Sequence, residues 1–349
     1  MKKDLGNEKD LGNAKDLGVE TLMSFRKSWR LLRVAGLLTL TAIAPAAAQN
    51  WPSAPIKFIV PVGPGLATDL TARLLADHMS QTLGASVVVE NITGGSGVLG
   101  AQTVARAAPD GATIFFSNSS ALTSNMYLLQ NVKYDPVKDF SAVALVAASS
   151  PFEVLVNKDL PVHSIAELIA YGKAHPGDLS LGMDATSGSG LVAGRLLNKR
   201  GAIGATEVLY RATPQMIQDA ISGRIQVFIS APLPVKGAVD NGQLRAIAIS
   251  SKKRFPGLDN VPSVGETLPG FEVDGWFALM APTGTPQPIA ERLNAETATF
   301  LAKSEVREKL VPLGILLAQP TSVQGTADFI RGQQASWKQL ASELDLKPQ

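Results

Sequence analysis

The chain has 349 residues, 45% of them hydrophobic and 18% charged, a balance that fits a soluble globular protein long enough for two domains, each with its own core. Its formal charge of +2 is uneven: residues 1–48 hold 8 of the 32 Lys/Arg and 5 of the 30 Asp/Glu, which leaves the remainder at a formal net of −1. A nucleic-acid binder keeps a basic excess in its folded part, so nucleic acid is excluded as a partner, and the lack of cysteine excludes disulfides and thiolate metal sites.

In chain order the first feature is a six-residue repeat, KDLGNE-KDLGNA-KDLG, over residues 3–18, without apolar periodicity. Met23 then begins a conventional leader: Arg26, Lys27, Arg30 and Arg33 precede an apolar run over 34–44 that ends in Pro45-Ala46-Ala47-Ala48-Gln49. Basic start, short apolar centre and Ala-x-Ala end describe a secretory signal peptide over 23–48, cleaved after Ala48. The run is too short to span a bilayer and contains Thr39 and Thr41. Residues 1–22 read as an upstream extension from a mis-assigned start, and the product as a free periplasmic protein.

From Gln49 on, β-rich runs alternate with helical patterns. A strand over 56–62 leads to a helix over 68–83, with Leu70, Leu74, Leu75 and Met79 at helical spacing and Gly84 as the stop. A strand over 86–90, a glycine-rich turn, a helix over 101–108, the turn Asp110-Gly111 and a strand over 113–117 follow. This βαβαβ rhythm predicts a parallel sheet with helices on both faces. The middle repeats it: strands over 152–157, 179–183, 206–210, 225–230 and 244–250, and helices over 164–175, 191–199 and 214–222. The last part holds GWFALMAP at 275–282 and helical patterns from about 288, 304 and 326. Two α/β units and a tail returning to the first give two lobes, 49–148 with 272–349 and 149–271, with a ligand cleft between them.

Motifs of chemistry are few. Gly95-Ser96-Gly97-Val98-Leu99-Gly100 matches G-x-G-x-x-G after a strand, but the next strand ends Phe115-Phe116-Ser117-Asn118 without the acid that would hold a ribose. A tight strand-to-helix turn is the better reading. His78, His163 and His175 are scattered and expected at surfaces, with no H-E-x-x-H and no metal-ligand spacing. The nucleophile elbow G-x-S-x-G fails because position 187 is Ser. Met79, Trp276 and Phe277 read as core. What remains are small polar turns at strand ends: Gly65 to Asp69, the stretch with Ser117, Asn118 and Ser119, then Thr186, Ser187, Gly188 and Ser189, and Tyr210 to Thr213. Backbone N–H groups and hydroxyls at helix starts suit a carboxylate without a fixed cation.

An ordered series of stretches carries a family likeness over the whole exported chain: WPSAPIKFIVPVGPGLATDLTARLLADHM, VVVENITGGSGVLGAQTVARAAPDGATI, YDPVKDFSAVALVA, LPVHSIAELIAYGKAHPGDLSLG, GQLRAIAISSKKR, VPSVGETLPGFE and GWFALMAPTGTPQPIAERLNAE. The chain resembles the periplasmic solute-binding receptors of tripartite tricarboxylate transporters, the Bug family. The resemblance implies a two-lobed periplasmic-binding-protein (Venus flytrap) fold, each lobe a mixed β-sheet flanked by helices. It also implies a monomeric receptor without cofactor that closes on a small organic acid and delivers it to a membrane permease. In the family the first turn reads P-G-G-x-x-D and meets the ligand carboxylate; Gly65, Thr68 and Asp69 match it, while Leu66 replaces the second glycine. Thr68 and, through water, Asp69 are thereby expected to face the cleft. Ser189 carries over from the second-lobe turn, but Leu191 stands where the family has His. Tyr210-Arg211-Ala212-Thr213 resembles Tyr-Lys-Gly-Ser/Thr, and Gln226 stands at a common Asp, so the Leu191 and Gln226 departures are expected to alter the pocket. A sensory receptor with the same soluble domain, and a secreted hydrolase, are the alternatives; the missing nucleophile–base pair argues against the second.

Overall fold

The computed structural model describes residues 51–184 and 188–348; the repeat, the leader and its cleavage point lie outside the described residues. The first apolar run becomes β1 (Ile56–Val60), buried throughout except at Lys57. Burial on both faces follows from its place between parallel neighbours β2 (Val87–Asn91) and β3 (Thr113–Asn118). Helix α1 (Ala67–Leu83) presents Ala72, Leu75, Ala76 and Met79 to the core as one stripe, and Gly84 ends it in the left-handed conformation at φ 64°. Helix α2 (Val98–Ala105) starts earlier than its pattern suggests. It follows a turn in which Gly97 has φ 90° and a Cβ would meet Pro61 Cβ at 2.9 Å. The G-x-G-x-x-G match is therefore a packing turn, as expected.

Beyond β3 come two single turns, α3 (Ser119–Leu122) and α4 (Asn125–Leu128), and the long strand β4 (Phe140–Ser150), none of which the sequence pattern announces. The second half contains β5 (Glu153–Asn157), α5 (Ile165–Ala174), β6 (Ser180–Asp184), α6 (Gly188–Gly201), β7 (Thr206–Tyr210), α7 (Thr213–Ile221), β8 (Val227–Ser230), α8 (Pro232–Asp240) and β9 (Leu244–Ile249). The chain closes with β10 (Gly275–Pro282), α9 (Gln287–Leu301), α10 (Ser304–Leu310), β11 (Leu316–Leu317) and α11 (Val323–Glu343). Among the described residues, no helix is long and apolar enough to cross a membrane.

Among the described residues two sheets result, one of six strands in the order β11-β4-β10-β3-β1-β2 and one of five in the order β7-β6-β8-β5-β9. Both are mixed, as the resemblance implies, while the three strands of the βαβαβ stretch, β2, β1 and β3, are parallel, as its rhythm predicts. Strand β10, entering from the second half, lies antiparallel between β3 and β4 with all eight residues buried. Strand β5, entering from the first half, lies antiparallel between β8 and β9. The strands that cross between the halves thus run against the βαβ units they join. A stack of Phe115 on Phe140 at 5.7 Å and tilted contacts of Phe116 with Phe58 and Phe277 fill the first core.

The two crossings are stitched together. Asp274, just before β10, accepts hydrogen bonds from Ser149 Oγ at 2.5 Å and Ser150 N at 3.1 Å, at the end of β4. The tail does not stay with the first sheet. Thr326 Oγ1 accepts from Leu145 N of β4 at 3.2 Å, whereas Trp337, further along α11, belongs to the core of the second sheet, and Glu343 pairs with Arg200 of α6 at 2.8 Å. His78 is not at a surface: it is 5% exposed on α1, Nδ1 3.0 Å from Lys303 Nζ and Nε2 3.2 Å from Glu296 O. Burial, aided by the Lys303 charge, pushes its pKa down. His163 and His175 are exposed.

Candidate functional site

Strand ends and helix starts from both sheets meet around a cavity of about 190 Å³. From the first half come Leu66, Ala67 and Thr68 at the start of α1, and Asn118, Ser119 and Ser120 after β3. From the second come Asp184 at the end of β6, Thr213 at the start of α7, and Ser230, Ala231 and Leu233 between β8 and α8. The crossing strands add Ser150, Phe152, Gly275 and Phe277. Carboxyl ends of strands in an α/β sheet are where loops leave space for ligands.

Helices α1, α7 and α8 begin here with Leu66, Ala212 and Ala231 as N-caps, and none receives a side-chain cap. An uncapped start leaves first-turn N–H groups and the positive end of the helix dipole for whatever occupies the neighbouring space. Pro214 lies in the first turn of α7, and Pro232 and Pro234 in that of α8, where a missing N–H costs the helix nothing but leaves α8 the N–H of Leu233 alone among its first three residues.

The anticipated first turn is present, with a division of labour. Gly65 holds φ +82°, where a side chain would be strained, and its N–H donates to Asp69 Oδ2 at 2.8 Å. Asp69 does not face the cleft: it is 1% exposed and also accepts from Arg73 Nε at 3.0 Å and Asn91 Nδ2 at 2.8 Å. Burial alone would raise its pKa, but the donors Arg73, Gly65 and Asn91 outweigh this and hold it below the usual carboxylate value. Its role is to clamp the turn so that Leu66 and Thr68 line the cavity. Leu66, where the resemblance leads one to expect glycine, is 43% exposed and presents an apolar wall.

Asn118 caps α3 through Ala121 N at 3.2 Å and also lines the cavity, while Ser117 is fully buried and bonds its neighbour's carbonyl. Ser189 Oγ lies 3.3 Å from Ser119 Oγ and 3.2 Å from Ser120 Oγ, so it joins α6 to α3 across the two halves and does not line the cavity. Gly188 beside it allows the close approach, since a Cβ there would meet Ser124 Oγ. Thr186 and Ser187 lie outside the described residues.

Other anticipated residues point elsewhere. Leu191 is buried in the second core and is not among the described residues that line the cavity, although its neighbour Gly190 is. Gln226 bonds Ser180 N and Gly223 O, both at 2.9 Å, at the opposite end of β6 and β8 from Asp184 and Ser230. Four residues at about 3.3 Å each place it roughly 13 Å from the cavity end of its strand. The Tyr210 hydroxyl donates to Asp219 at 3.0 Å and Arg211 is exposed; neither lines the cavity. Thr213 does, and its hydroxyl donates to Asp184 Oδ2. Sequence reasoning missed Asp184, Ser150, Ser230 and the aromatic pair Phe152 and Phe277. The usable signal for Asp184 was its place as the last residue of a strand that opens into a polar turn.

Residues 71–346 match the family TctC, described as a tripartite tricarboxylate transporter family receptor. The chain is 32% identical over 324 residues to the protein BugT of Bordetella pertussis, covering 91% of this chain and 98% of that one. It is similar to the structure of R. palustris Rpa4515 with adipate, at TM-score 0.78 and 31% identity over 86% of this chain and 100% of the other. A second similar structure is MatC from Rhodopseudomonas palustris with bound malate, at TM-score 0.73 and 30% identity over 83% of this chain and 100% of the other. Two mixed sheets joined by crossing strands around a shared cavity are the two-lobed fold of these binding proteins, and the chain belongs to the tripartite tricarboxylate transporter receptor family, a class of solute-binding receptors.

Proposed function

We propose that the protein is a periplasmic receptor, not an enzyme, that captures a small carboxylate metabolite and delivers it to a membrane permease of the tripartite tricarboxylate type. The observation that carries this reading is the convergence of three uncapped helix starts, α1, α7 and α8, on one cavity. Such a site favours an anion through dipoles and N–H groups, with no fixed cation required. A cavity of about 150 Å³ accommodates benzene, so one of about 190 Å³ suits a ligand of roughly eight non-hydrogen atoms. Malate in MatC and adipate in Rpa4515 support a small carboxylate. Closure on the ligand shifts an open–closed equilibrium, and only the closed form docks on the permease.

The test is a thermal-shift screen of the purified protein against small organic acids, followed by calorimetric titration of those that act. A ligand at about a hundred times its Kd adds about 2.7 kcal/mol of stability, which raises the melting temperature by about 5 °C for a chain of this size. If no organic acid raises it, carboxylate capture is wrong.

A further inference from the structure

The cavity has a lopsided charge inventory. Among its described lining residues Asp184 is the one ionisable group, and Lys, Arg and His are absent from that lining. The segment between β6 and α6, Ala185-Thr186-Ser187, has no ionisable side chain in its sequence. Attraction for an anion therefore comes from the helix starts and hydroxyls, and they are not equivalent. The start of α7 stands beside Asp184, to which Thr213 donates, so its dipole is matched to a charge the protein already supplies. The start of α1, with Leu66, Ala67 and Thr68 on the cavity, has its one acidic neighbour, Asp69, turned away into the clamp with Gly65, Arg73 and Asn91. One carboxylate is suited to α1. A second would meet a like charge in the same cavity, and like charges sharing a desolvated site shift protonation equilibria by more than a unit, which is more than ten-fold.

We propose that this site takes small monocarboxylates whose other end is a hydrogen-bond donor, an ammonium or a carboxamide, and rejects dicarboxylates of the same length. The carboxylate rests at the start of α1, the carbon chain lies along Phe152, Phe277 and Leu233, and the donor end reaches the Asp184 carboxylate. Asp184 is the specificity-determining residue. The proposal rests on the carboxylate reading above and adds to it the identity of the second end.

Matched series decide it. Calorimetric titration compares, at four and at six carbons, the dicarboxylate (succinate, adipate), its monoamide, the ω-amino acid (4-aminobutanoate, 6-aminohexanoate), the plain monocarboxylate (butanoate, hexanoate) and the alkylamine that lacks a carboxylate. The expected result is that the better of the amino and amide ligands binds at least ten-fold more tightly than the dicarboxylate of its length. Asp184→Asn should bring that ratio to about one or invert it, by relieving the dicarboxylate and weakening the ammonium. A dicarboxylate that equals or beats its amino and amide partners in the wild-type protein overturns the proposal while leaving carboxylate capture standing. An unchanged ratio in folded Asp184→Asn overturns the role of Asp184; should that variant fail to fold, the wild-type ratio alone decides. Alkylamines binding as tightly as the amino acids would overturn the carboxylate reading itself, and the two-ended proposal with it.

Discussion

Replacing Asp69 with alanine tests how the first turn is built. Its buried carboxylate accepts from Gly65 N at 2.8 Å, Asn91 Nδ2 at 2.8 Å and Arg73 Nε at 3.0 Å. A hydrogen bond to a charged group contributes about 1.5–3 kcal/mol, but the three are not equal. Gly65 is exposed, so water takes over its N–H, and the Arg73 side chain is 47% exposed, so its pairing is worth well under about 1 kcal/mol. The Asn91 amide keeps Val62 O at 2.9 Å but loses its other acceptor. Adding the lost Asn91 bond to the remnants of the other two gives about 3 kcal/mol, or about 6 °C in melting temperature for a chain of this size. Circular-dichroism melts at pH 7 measure it; a shift below about 2 °C would refute the clamp. The pH dependence has a definite sign. Burial works against ionisation, but the donors prevail and the folded pKa is depressed, so the stabilisation is present above the unfolded value of about 3.9 and is lost as pH falls through the lower folded value. The gap between wild type and Asp69→Ala should therefore close in acid, and a gap still complete at pH 2 would show that the charge is not what holds the turn.

Thr68→Val removes a hydroxyl from a residue 6% exposed on the cavity wall and keeps its shape, so ligand affinity should fall about five-fold for about 1 kcal/mol of hydrogen bonding, with the melting temperature unmoved; unchanged affinity in calorimetry counts against that wall. Gly172→Ala places a Cβ hard against the backbone oxygen of Ile203, which forces α5 from its seat and costs about 2–3 kcal/mol of overpacking; an unchanged urea midpoint would contradict the contact. Burial pushes the Asp274 carboxyl up to about 7, despite hydrogen bonds from Ser149 and Ser150. Its contribution to stability is complete below the unfolded value of about 3.9 and lost as pH rises through about 7. Asp274→Asn should therefore gain melting temperature relative to wild type between pH 5 and pH 8, and parallel curves would exclude that titration.

Elements that obey one period were legible in the sequence. Strand β1 and helix α1 follow from IKFIV and from the Leu75–Met79 stripe, and their observed bounds differ from the expected ones by two residues or fewer. Strand β4 was not legible, because its alanines at 142, 144, 147 and 148 carry little strand preference, and it is held by pairing with β10. Helix α8 hid behind Pro232 and Pro234, which read as breakers yet occupy a first turn where proline is tolerated. The site divides in the same way. Local logic, a polar turn after a strand, located Thr68, Asn118, Ser119 and Thr213. It could not tell that Asp69 folds back on Gly65 or that Gln226 belongs to the far end of its strand, since both depend on pairing between distant segments. Trp276 and Phe277 were read as core and are buried, but Phe277 also lines the cavity, a double duty that periodicity cannot express.

Helix α11 spans 21 residues, about 31 Å of stiff rod, with Thr326 bound to β4 at one end and Trp337 embedded in the second core toward the other. A rod rooted in both cores makes their melting one event. Neither half can lose its packing without exposing part of α11 that the other needs, so heat should produce a single cooperative transition in place of two.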